Sequence, residues 1–405
     1  MTDLDNQYCW ELQNRYIPGG SSTCSKRAQY LPEEPPVIVR GEGCRVWDAD
    51  GREFIDFRCA LGPVSLGYCH PVINQAIREQ LEKGIVFGYP HPLEGEVAQM
   101  LVEIIPCAEK VRFLKTGGEA IAAAIKIARA VTGRNHVLQI GYNGWLNSLS
   151  PTGMVLPNQS ATQSLPGIPA ALSQLHHGCR WNQREDLEAV GQQFGSDLAA
   201  IVVAADYRNL EDGRTFYLWL RKFADQYGAV LIFDEIVTGF RLAIGGVQEY
   251  FQVTPDLAVF AKGLANGMPL SVYCGKAELM DVLESATVST TYGGDALSLA
   301  AAKACIGIYR SEPVIEHFWQ ASRTLWSAFN LLCRKYDLPL KVENYAPFSL
   351  LTFDPDCPAN FREQFFRAVC DAGVTLYNGG YVCYAHKSAD LEEALQRIDS
   401  AMSKL

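Results

Sequence analysis

Two residues with reactive side chains lie at the ends of apolar runs in the sequence. Asp234 ends the run VLIFD, where an ionised carboxylate must be paired or hydrogen-bonded. A protonated heterocyclic nitrogen is one such partner, and a structural ion pair with Arg241 is the alternative. Lys262 follows the run DLAVFA, where partial burial and cationic neighbours would deprotonate the amine, as a Schiff-base lysine requires. A lysine that extends to solvent is the alternative here.

Two adjacent glycines form a third feature with chemical potential. The segment LKTGGEAIAAAIKIARA places Gly117 and Gly118 where a strand meets a long helix. Free backbone N–H groups and the positive end of the helix dipole favour an anion there, most simply a phosphate. A plain tight turn is the alternative, and the pattern is neither a dinucleotide fingerprint nor a P-loop. We interpret Glu119 as charge complementarity with the helix N-terminus rather than as a catalytic group.

The elements that must position these residues are short apolar strands that alternate with helices. Strand patterns occupy residues 110–116, 136–142, 199–205, 229–235 and 256–261. Helical periodicity covers 119–133 and 215–228, each ending at a glycine. Strand, helix and strand in succession predict an α/β fold with a parallel sheet covered on both faces. Ligands of such sheets bind at the carboxyl ends of the strands.

The two ends of the chain predict a second, smaller α+β domain. Residues 43–57 read as a hairpin with an Asp50–Gly51 turn, and from about residue 301 helices alternate with short strands. We therefore expect an N-terminal segment 1–65 that belongs to the small domain, a large domain 66–300 and a C-terminal small domain 301–405. Residues 148–169 are rich in Ser, Pro, Gly and Thr, and we expect them to form a lid over the site.

Composition excludes several other classes of protein. The chain is 48% hydrophobic and 20% charged, which is typical of globular proteins, and its net charge of −10 comes without a basic run, so we expect no nucleic-acid partner. No run of 18 apolar residues predicts a membrane span, and the N-terminus lacks a leader pattern, which favours the cytoplasm. Thirteen scattered cysteines predict buried thiols rather than disulfides, and no metal site is expected.

Taken together, these segments resemble pyridoxal-phosphate (PLP) enzymes of fold type I. The resemblance is to the class III aminotransferase family, nearest its glutamate-1-semialdehyde aminomutase-like branch. FDEIVTGFR and AKGLANGMPLS match the family's Asp and Lys motifs, which lie 28 positions apart here. Further matches keep the family order: IPGGSST, GCRVWDADGREFIDF, LGPVSLGYCHP, EKVRFLKTGGEA, GYNGW, GGVQEYFQVTPDLA and TYGGDALSLAAA. The resemblance covers nearly the whole chain and implies a large domain with a mostly parallel seven-stranded sheet.

The resemblance implies a role for each matching residue. Lys262 would form the Schiff base with PLP and move the proton between Cα and C4′. Asp234 would pair with the pyridinium nitrogen. Gly117 and Gly118 would hold the phosphate.

Three further residues are implied to contact the cofactor. Tyr142 would stack on one face of its ring, and Ile236 would pack against the other. Thr291 would reach the phosphate of the neighbouring subunit's cofactor, which implies a homodimer with shared sites. The alternatives are a core aromatic for Tyr142 and a turn residue for Thr291.

The sequence departs from the family pattern where substrate is expected to bind. Asn143 replaces the histidine of Tyr-His-Gly, residues 204–206 replace a common Glu-Pro, and Asn378 lies about where aminomutases have a glutamate. Candidate substrate residues are Tyr89, His91 and Asn143, with a hydrogen-bonded structural role as the alternative for His91.

The resulting hypothesis is a PLP-dependent aminotransferase of a biosynthetic pathway. It would move an amino group from a small donor to an aldehyde or ketone, with the cofactor alternating between PLP and PMP. A glutamate-1-semialdehyde-type 2,1-aminomutase is the first alternative. Racemisation and a catalytically retired scaffold subunit are the others.

Overall fold

The computed structural model of the chain describes residues 5–144, 167–205, 210–284 and 286–405, without the side chains of 283 and 284. These residues divide into two compact units, 1–71 with 316–405 and 72–315. The domain limits expected from the sequence, at 65/66 and 300/301, stay a prediction. None of the described helices is both long and apolar enough to cross a membrane.

The described strands and helices follow one another as the alternating patterns predict. The strands are β1 (Arg40–Glu42), β2 (Arg45–Trp47), β3 (Glu53–Asp56), β4 (Lys110–Leu114), β5 (His136–Ile140), β6 (His176–Cys179), β7 (Leu198–Ala204), β8 (Val230–Asp234), β9 (Leu257–Phe260), β10 (Ser271–Gly275), β11 (Leu340–Val342), β12 (Phe348–Phe353), β13 (Val374–Thr375) and β14 (Gly379–Tyr381). The helices are α1 (Asn6–Tyr16), α2 (Pro71–Leu81), α3 (Pro92–Ile104), α4 (Gly117–Thr132), α5 (Ala170–Ser173), α6 (Arg184–Phe194), α7 (Leu210–Tyr227), α8 (Val247–Phe251), α9 (Ala277–Met280), α10 (Ala296–Ser311), α11 (Val314–Lys335), α12 (Phe361–Asp371) and α13 (Ser388–Met402).

A seven-stranded sheet forms the centre of the larger unit. Its strand order is β4-β10-β9-β8-β7-β5-β6. β10 runs antiparallel to both of its neighbours, and the other pairs are parallel. This mostly parallel α/β sheet confirms the predicted fold. The apolar runs of the sequence predicted five of these strands, whereas the patterns did not reveal β6 and β10.

Helix α4 covers one face of this sheet. It begins with a capping box, in which Thr116 and Glu119 satisfy each other's backbone N–H groups, and it ends at Gly133 in a left-handed conformation. Alanines and isoleucines fill its buried side and pack against Val137, Val202 and Ile232 of the sheet. Because alanine side chains are small, the helix lies close to the strands, and its N-terminus is fixed at their carboxyl ends.

The smaller unit has its own core and two small sheets. One sheet has the order β1-β2-β3-β13 and the other β11-β12-β14. Trp326, Phe329 and Phe365 lie fully buried in the core that α11 and α12 share. The antiparallel pairing of β2 with β3 corresponds to the predicted hairpin of residues 43–57.

Candidate active site

The carboxyl ends of two adjacent strands bring the predicted acid and lysine to one region. β8 ends at Asp234, which pairs with Val259 of the parallel neighbour β9. β9 ends at Phe260, two residues before Lys262. Both side chains therefore leave the same edge of the sheet, where parallel α/β folds bind their ligands.

Asp234 is nearly buried, with 6% of its surface exposed, and its oxygens accept two hydrogen bonds. Oδ2 accepts from Nδ2 of Asn143 at 3.0 Å, and Oδ1 accepts from the backbone N–H of Ile236 at 3.1 Å. Burial raises the pKa of this carboxyl to about 6, against the lowering effects of Asn143, the Ile236 N–H and the charge of Lys262. An ion pair with Arg241 stays an alternative for Asp234.

Lys262 occupies a backbone conformation that is rare for residues other than glycine. Its φ is +44°, at the start of the short 3-10 helix Lys262–Leu264. Burial lowers the pKa of its amine to about 8. The negative charge of Asp234 opposes this shift, and the positive charge of Arg241 adds to it. Within the described ranges Nζ makes no hydrogen bond or ion pair. The lowered pKa increases the fraction of neutral amine, which is the form that condenses with a carbonyl.

The first residues of α4 leave room for an anion. The Thr116 hydroxyl accepts the N–H of Glu119, so the N–H groups of Gly117 and Gly118 have no acceptor inside the helix. A Cβ on Gly117 would lie 2.4 Å from Cδ1 of Ile236, so a side chain at this position would require Ile236 to move. A cavity of about 520 Å³ lies beside α4, and Gly118 and Asn143 are among the residues that line it.

These features fit a phosphorylated heterocycle with a carbonyl group. The helix N-terminus suits the phosphate, Asp234 suits a protonated ring nitrogen, and Lys262 suits the carbonyl carbon. The donor set of this edge of the sheet therefore agrees with the cofactor that the resemblance implies.

Comparison with known proteins gives the same answer. The class-III aminotransferase family matches residues 29–402. A glutamate-1-semialdehyde 2,1-aminomutase from Syntrophomonas wolfei subsp. wolfei (strain DSM 2245B / Goettingen) is 33% identical over 418 residues, covering 96% of this chain and 95% of that protein. The chain belongs to the class-III aminotransferase family. This membership confirms the predicted family, the enzyme class and the cofactor, PLP and its amine form PMP.

Solved structures agree in fold with this member of the class-III aminotransferase family. An omega-transaminase from Sphaerobacter thermophilus is 25% identical, with a TM-score of 0.88 over 98% of this chain and 97% of its own. A glutamate-1-semialdehyde aminomutase from Pseudomonas aeruginosa PAO1 is 17% identical and matches the fold with a TM-score of 0.84, over 99% of this chain and 94% of its own. The predicted fold type of PLP-dependent transferases is confirmed.

The other residues predicted to contact the cofactor lie in the larger unit. Tyr142 follows β5 and is 55% exposed, so it does not occupy the core. Ile236 follows Asp234 and contacts the start of α4 through the space that Gly117 leaves. Thr291 is exposed in a turn before α10. Of the predicted lid, residues 148–166 lie outside the described ranges.

The predicted substrate residues have different surroundings. Tyr89 is 87% exposed. His91 is the N-cap of α3, where its Nδ1 accepts the Leu93 N–H at 3.2 Å and Glu94 completes a capping box. These contacts support the structural alternative for His91. Asn143 is buried and bonds Asp234, so its contacts are those of a residue that orients the carboxylate.

Glu235 has a structural role that the sequence did not reveal. Its carboxylate accepts the backbone N–H groups of Val247 at 2.8 Å and Gln248 at 3.1 Å, and the Thr238 hydroxyl also donates to it. Burial raises the pKa of Glu235 to about 7, while these donors lower it. Glu235 thus caps α8, and its partners lie too far along the chain for a local motif to show the role.

A second group of buried reactive side chains lies in the smaller unit. The candidate ligand atoms of Cys59, Cys383 and His386 lie within 4.8 Å of one another. Nδ1 of His386 accepts the Cys383 N–H at 2.9 Å and lies 3.1 Å from its sulfur. Because that nitrogen already accepts an N–H, it binds a metal only if this bond is lost. The scattered cysteine pattern gave no sign of the cluster.

Proposed function

We propose that the protein transfers an amino group between a small amino donor and an aldehyde or ketone acceptor, with PLP held covalently by Lys262. The single observation that carries the proposal is the position of Lys262 and Asp234 at the ends of adjacent strands, with the amine pKa lowered to about 8. When bound, PLP supplies an electron-withdrawing ring and a group that alternates between aldehyde and amine.

Each of the predicted site residues would have a separate role in the reaction. Lys262 would move a proton between the substrate Cα and C4′ of the cofactor, since the pKa of its amine is lowered to about 8. Asp234 would hold the ring nitrogen protonated. Gly117 and Gly118 would bind the phosphate through their N–H groups.

Three exposed or half-buried residues complete the proposed cofactor site. Tyr142 and Ile236 would pack on opposite faces of the ring. Thr291, exposed in its turn, would reach the phosphate of a second copy of the chain. This arrangement needs a homodimer with shared active sites. A cytoplasmic location and a biosynthetic pathway stay predictions.

A 2,1-aminomutase is the second candidate, and the similarity to the Syntrophomonas wolfei aminomutase favours it. In that reaction one substrate both gives and receives the amino group. Against it, Asn378 carries an amide where the resemblance implies a glutamate, and its side chain accepts a hydrogen bond from Arg362. Turnover of a single substrate, with no separate donor or acceptor, distinguishes the aminomutase from the aminotransferase.

A screen of amino donors tests the proposal. The PLP-loaded protein is mixed with one amine or amino acid at a time, and the absorbance of lysine-bound PLP is followed as it converts to that of PMP. We expect at least one donor to convert the cofactor, and an added aldehyde or ketone to restore the first spectrum. A protein that shows no lysine-bound absorbance after PLP is added contradicts the proposal.

A further inference from the structure

A continuous line of buried polar side chains leads from Asp234 into the larger unit. Asn143 donates to Asp234 at 3.0 Å, and Nε2 of Gln139 donates to Oδ1 of Asn143 at 3.4 Å. Nδ1 of His176 lies 3.3 Å from Oε1 of Gln139, and Nε2 of His176 lies 3.1 Å from a guanidinium nitrogen of Arg129. Asn143, Gln139 and His176 are all buried. The line thus joins α4, β6, β5 and the end of β8.

The sheet and α4 explain how residues distant in sequence form one line. Gln139 lies opposite Gly178 on the parallel neighbour β6, and His176 lies opposite Val137. Paired residues of parallel strands point to the same face, so Gln139 and His176 are diagonal neighbours there. α4 packs on that face through its contact with Val137 and carries Arg129 in its last turn.

The chemistry of Arg129 fixes the direction of every hydrogen bond in the line. A guanidinium only donates, so Nε2 of His176 must accept. The neutral ring then carries its proton on Nδ1 and donates it to Oε1 of Gln139. The amide of Gln139 therefore presents its NH₂ group to Oδ1 of Asn143, which leaves the NH₂ group of Asn143 for Asp234. All four bonds point from a cation toward the carboxylate.

His176, which titrates within this line, stays neutral at physiological pH. Burial lowers the pKa of His176 to about 3, with smaller effects of the charges of Arg129, His177 and His136. The ring is therefore neutral across the working range and keeps the tautomer that Arg129 selects. On the side of Asp234, the charge that faces it is Lys262, which in turn faces Arg241.

We propose that Arg129, His176, Gln139 and Asn143 form a one-way hydrogen-bond chain that orients Asp234 and keeps its carboxylate ionised for the ring nitrogen of PLP. The inference rests on the proposed function, because it assigns Asp234 that partner. His176 and Gln139 are positioning residues, since they act on the cofactor only through Asn143 and Asp234. A chain whose donors all face the carboxylate favours its charged form, and this effect opposes the burial of Asp234.

A purely structural line of side chains would stabilise the fold without affecting the carboxylate. Two variants that cut the line separate these possibilities: Gln139→Met, which keeps the volume but removes the amide, and His176→Phe. His177→Phe is the matched control, because His177 is the next residue of β6 and bonds His136 instead, at 2.9 Å. Side chains alternate between the two faces of a strand, so His177→Phe changes a side chain on the face opposite to that of His176.

The readout is the affinity of the apoprotein for PLP as a function of pH, measured by fluorescence quenching. As pH falls through the pKa of Asp234, the carboxylate gains a proton, its pairing with the ring nitrogen is lost and binding weakens. Cutting the line raises that pKa further, so we expect the midpoint of the acid limb to move up by about 0.5 to 1 pH unit in Gln139→Met and His176→Phe. At pH 5, below both midpoints, this corresponds to a roughly threefold to ninefold weaker affinity, and at pH 9 to no difference.

A cofactor analogue with carbon in place of the ring nitrogen completes the test. Gln139→Met, His176→Phe and the original protein should bind this analogue with equal affinity at every pH, because its ring has no nitrogen for Asp234 to pair with. Unchanged midpoints with PLP in Gln139→Met overturn the inference, as does an equal shift in His177→Phe. If His176→Phe fails to fold, Gln139→Met decides alone. Failure of the proposed function is distinct, since the original protein would then show no lysine-bound PLP.

Discussion

The side-chain amide of Asn143 donates a 3.0 Å hydrogen bond to Oδ2 of Asp234, and both residues are almost fully buried. The family resemblance implies a histidine at position 143, and either residue type carries an N–H for this bond. The change therefore keeps the donor while it alters the charge that the position can carry. Asp234 retains an oriented carboxylate without a titrating side chain at position 143.

The first prediction concerns this contact. Asn143→Leu removes a hydrogen bond to a charged group, which is worth about 1.5 to 3 kcal/mol, so PLP should bind at least about tenfold more weakly at pH 7. Asn143→His supplies an N–H again and should recover most of the affinity. Fluorescence titration of the two apoproteins measures both values, and equal affinities in Asn143→Leu and the original protein would contradict the assignment.

A second prediction concerns the pH at which PLP attaches to Lys262. Only the neutral amine condenses with an aldehyde, and a free lysine is neutral only above about pH 10.4. Because burial lowers the pKa of Lys262 to about 8, the rate of attachment should rise with pH and level off above that value. Stopped-flow absorbance across pH 6 to 10 measures this profile. A rate that still rises steeply above pH 9 would show that the amine is not perturbed.

The third prediction tests one cause of that shift. The charge of Arg241 lowers the pKa of Lys262, so Arg241→Met should move the midpoint of the attachment rate upward, by roughly half to one pH unit. Arg180→Met is the control, because Arg180 forms an exposed ion pair with Asp186 instead. The control should keep the original midpoint. A lower midpoint in Arg241→Met would contradict the lowering effect of the Arg241 charge on the pKa of Lys262.

The fourth prediction concerns stability rather than chemistry. Gly246 has a φ of +77°, and a Cβ there would lie 2.1 Å from Oε2 of Glu235, the carboxylate that caps α8. Gly133 has a similar φ of +66° but open space around its Cα. Gly133→Ala should therefore cost only the left-handed backbone, about 1 to 2 kcal/mol of unfolding free energy.

Gly246→Ala should cost clearly more, because it also displaces a buried carboxylate from its donors. Urea denaturation of the two variants gives the comparison directly. Equal losses in Gly246→Ala and Gly133→Ala would show that the contact between Gly246 and Glu235 is not tight.

The sequence revealed the residues whose role depends on their own strand or helix. Asp234 and Lys262 stand out because each follows an apolar run, and Gly117 because it begins a long helix. Parallel pairing of β8 with β9 then brings Asp234 and Lys262 to one edge of the sheet, whereas β4, which precedes Gly117, joins the sheet through the antiparallel strand β10. The alternation of strands and helices likewise predicted the sheet, since each apolar run was long enough to be recognised.

The residues that sequence reasoning missed depend on partners far along the chain. Strand β6 reads HHGC and has no apolar run, so neither the strand nor the link between His176 and Gln139 was predicted. The role of Glu235 was not predicted, because its partners Val247 and Gln248 lie beyond an irregular segment. His91 differs, because its ring caps α3 through Leu93 and Glu94, which lie within three residues. For β6 and Glu235 the tertiary contact, rather than the local pattern, determines the role.

The most direct test of the account is borohydride trapping of the PLP-loaded protein, followed by mass mapping of its peptides. Borohydride reduces the link between PLP and the amine that holds it, which makes the attachment permanent. We expect a single PLP adduct on Lys262, which disappears when an effective amino donor is added before reduction. An adduct on another lysine, or no adduct after loading, would contradict the proposal that Lys262 holds the cofactor.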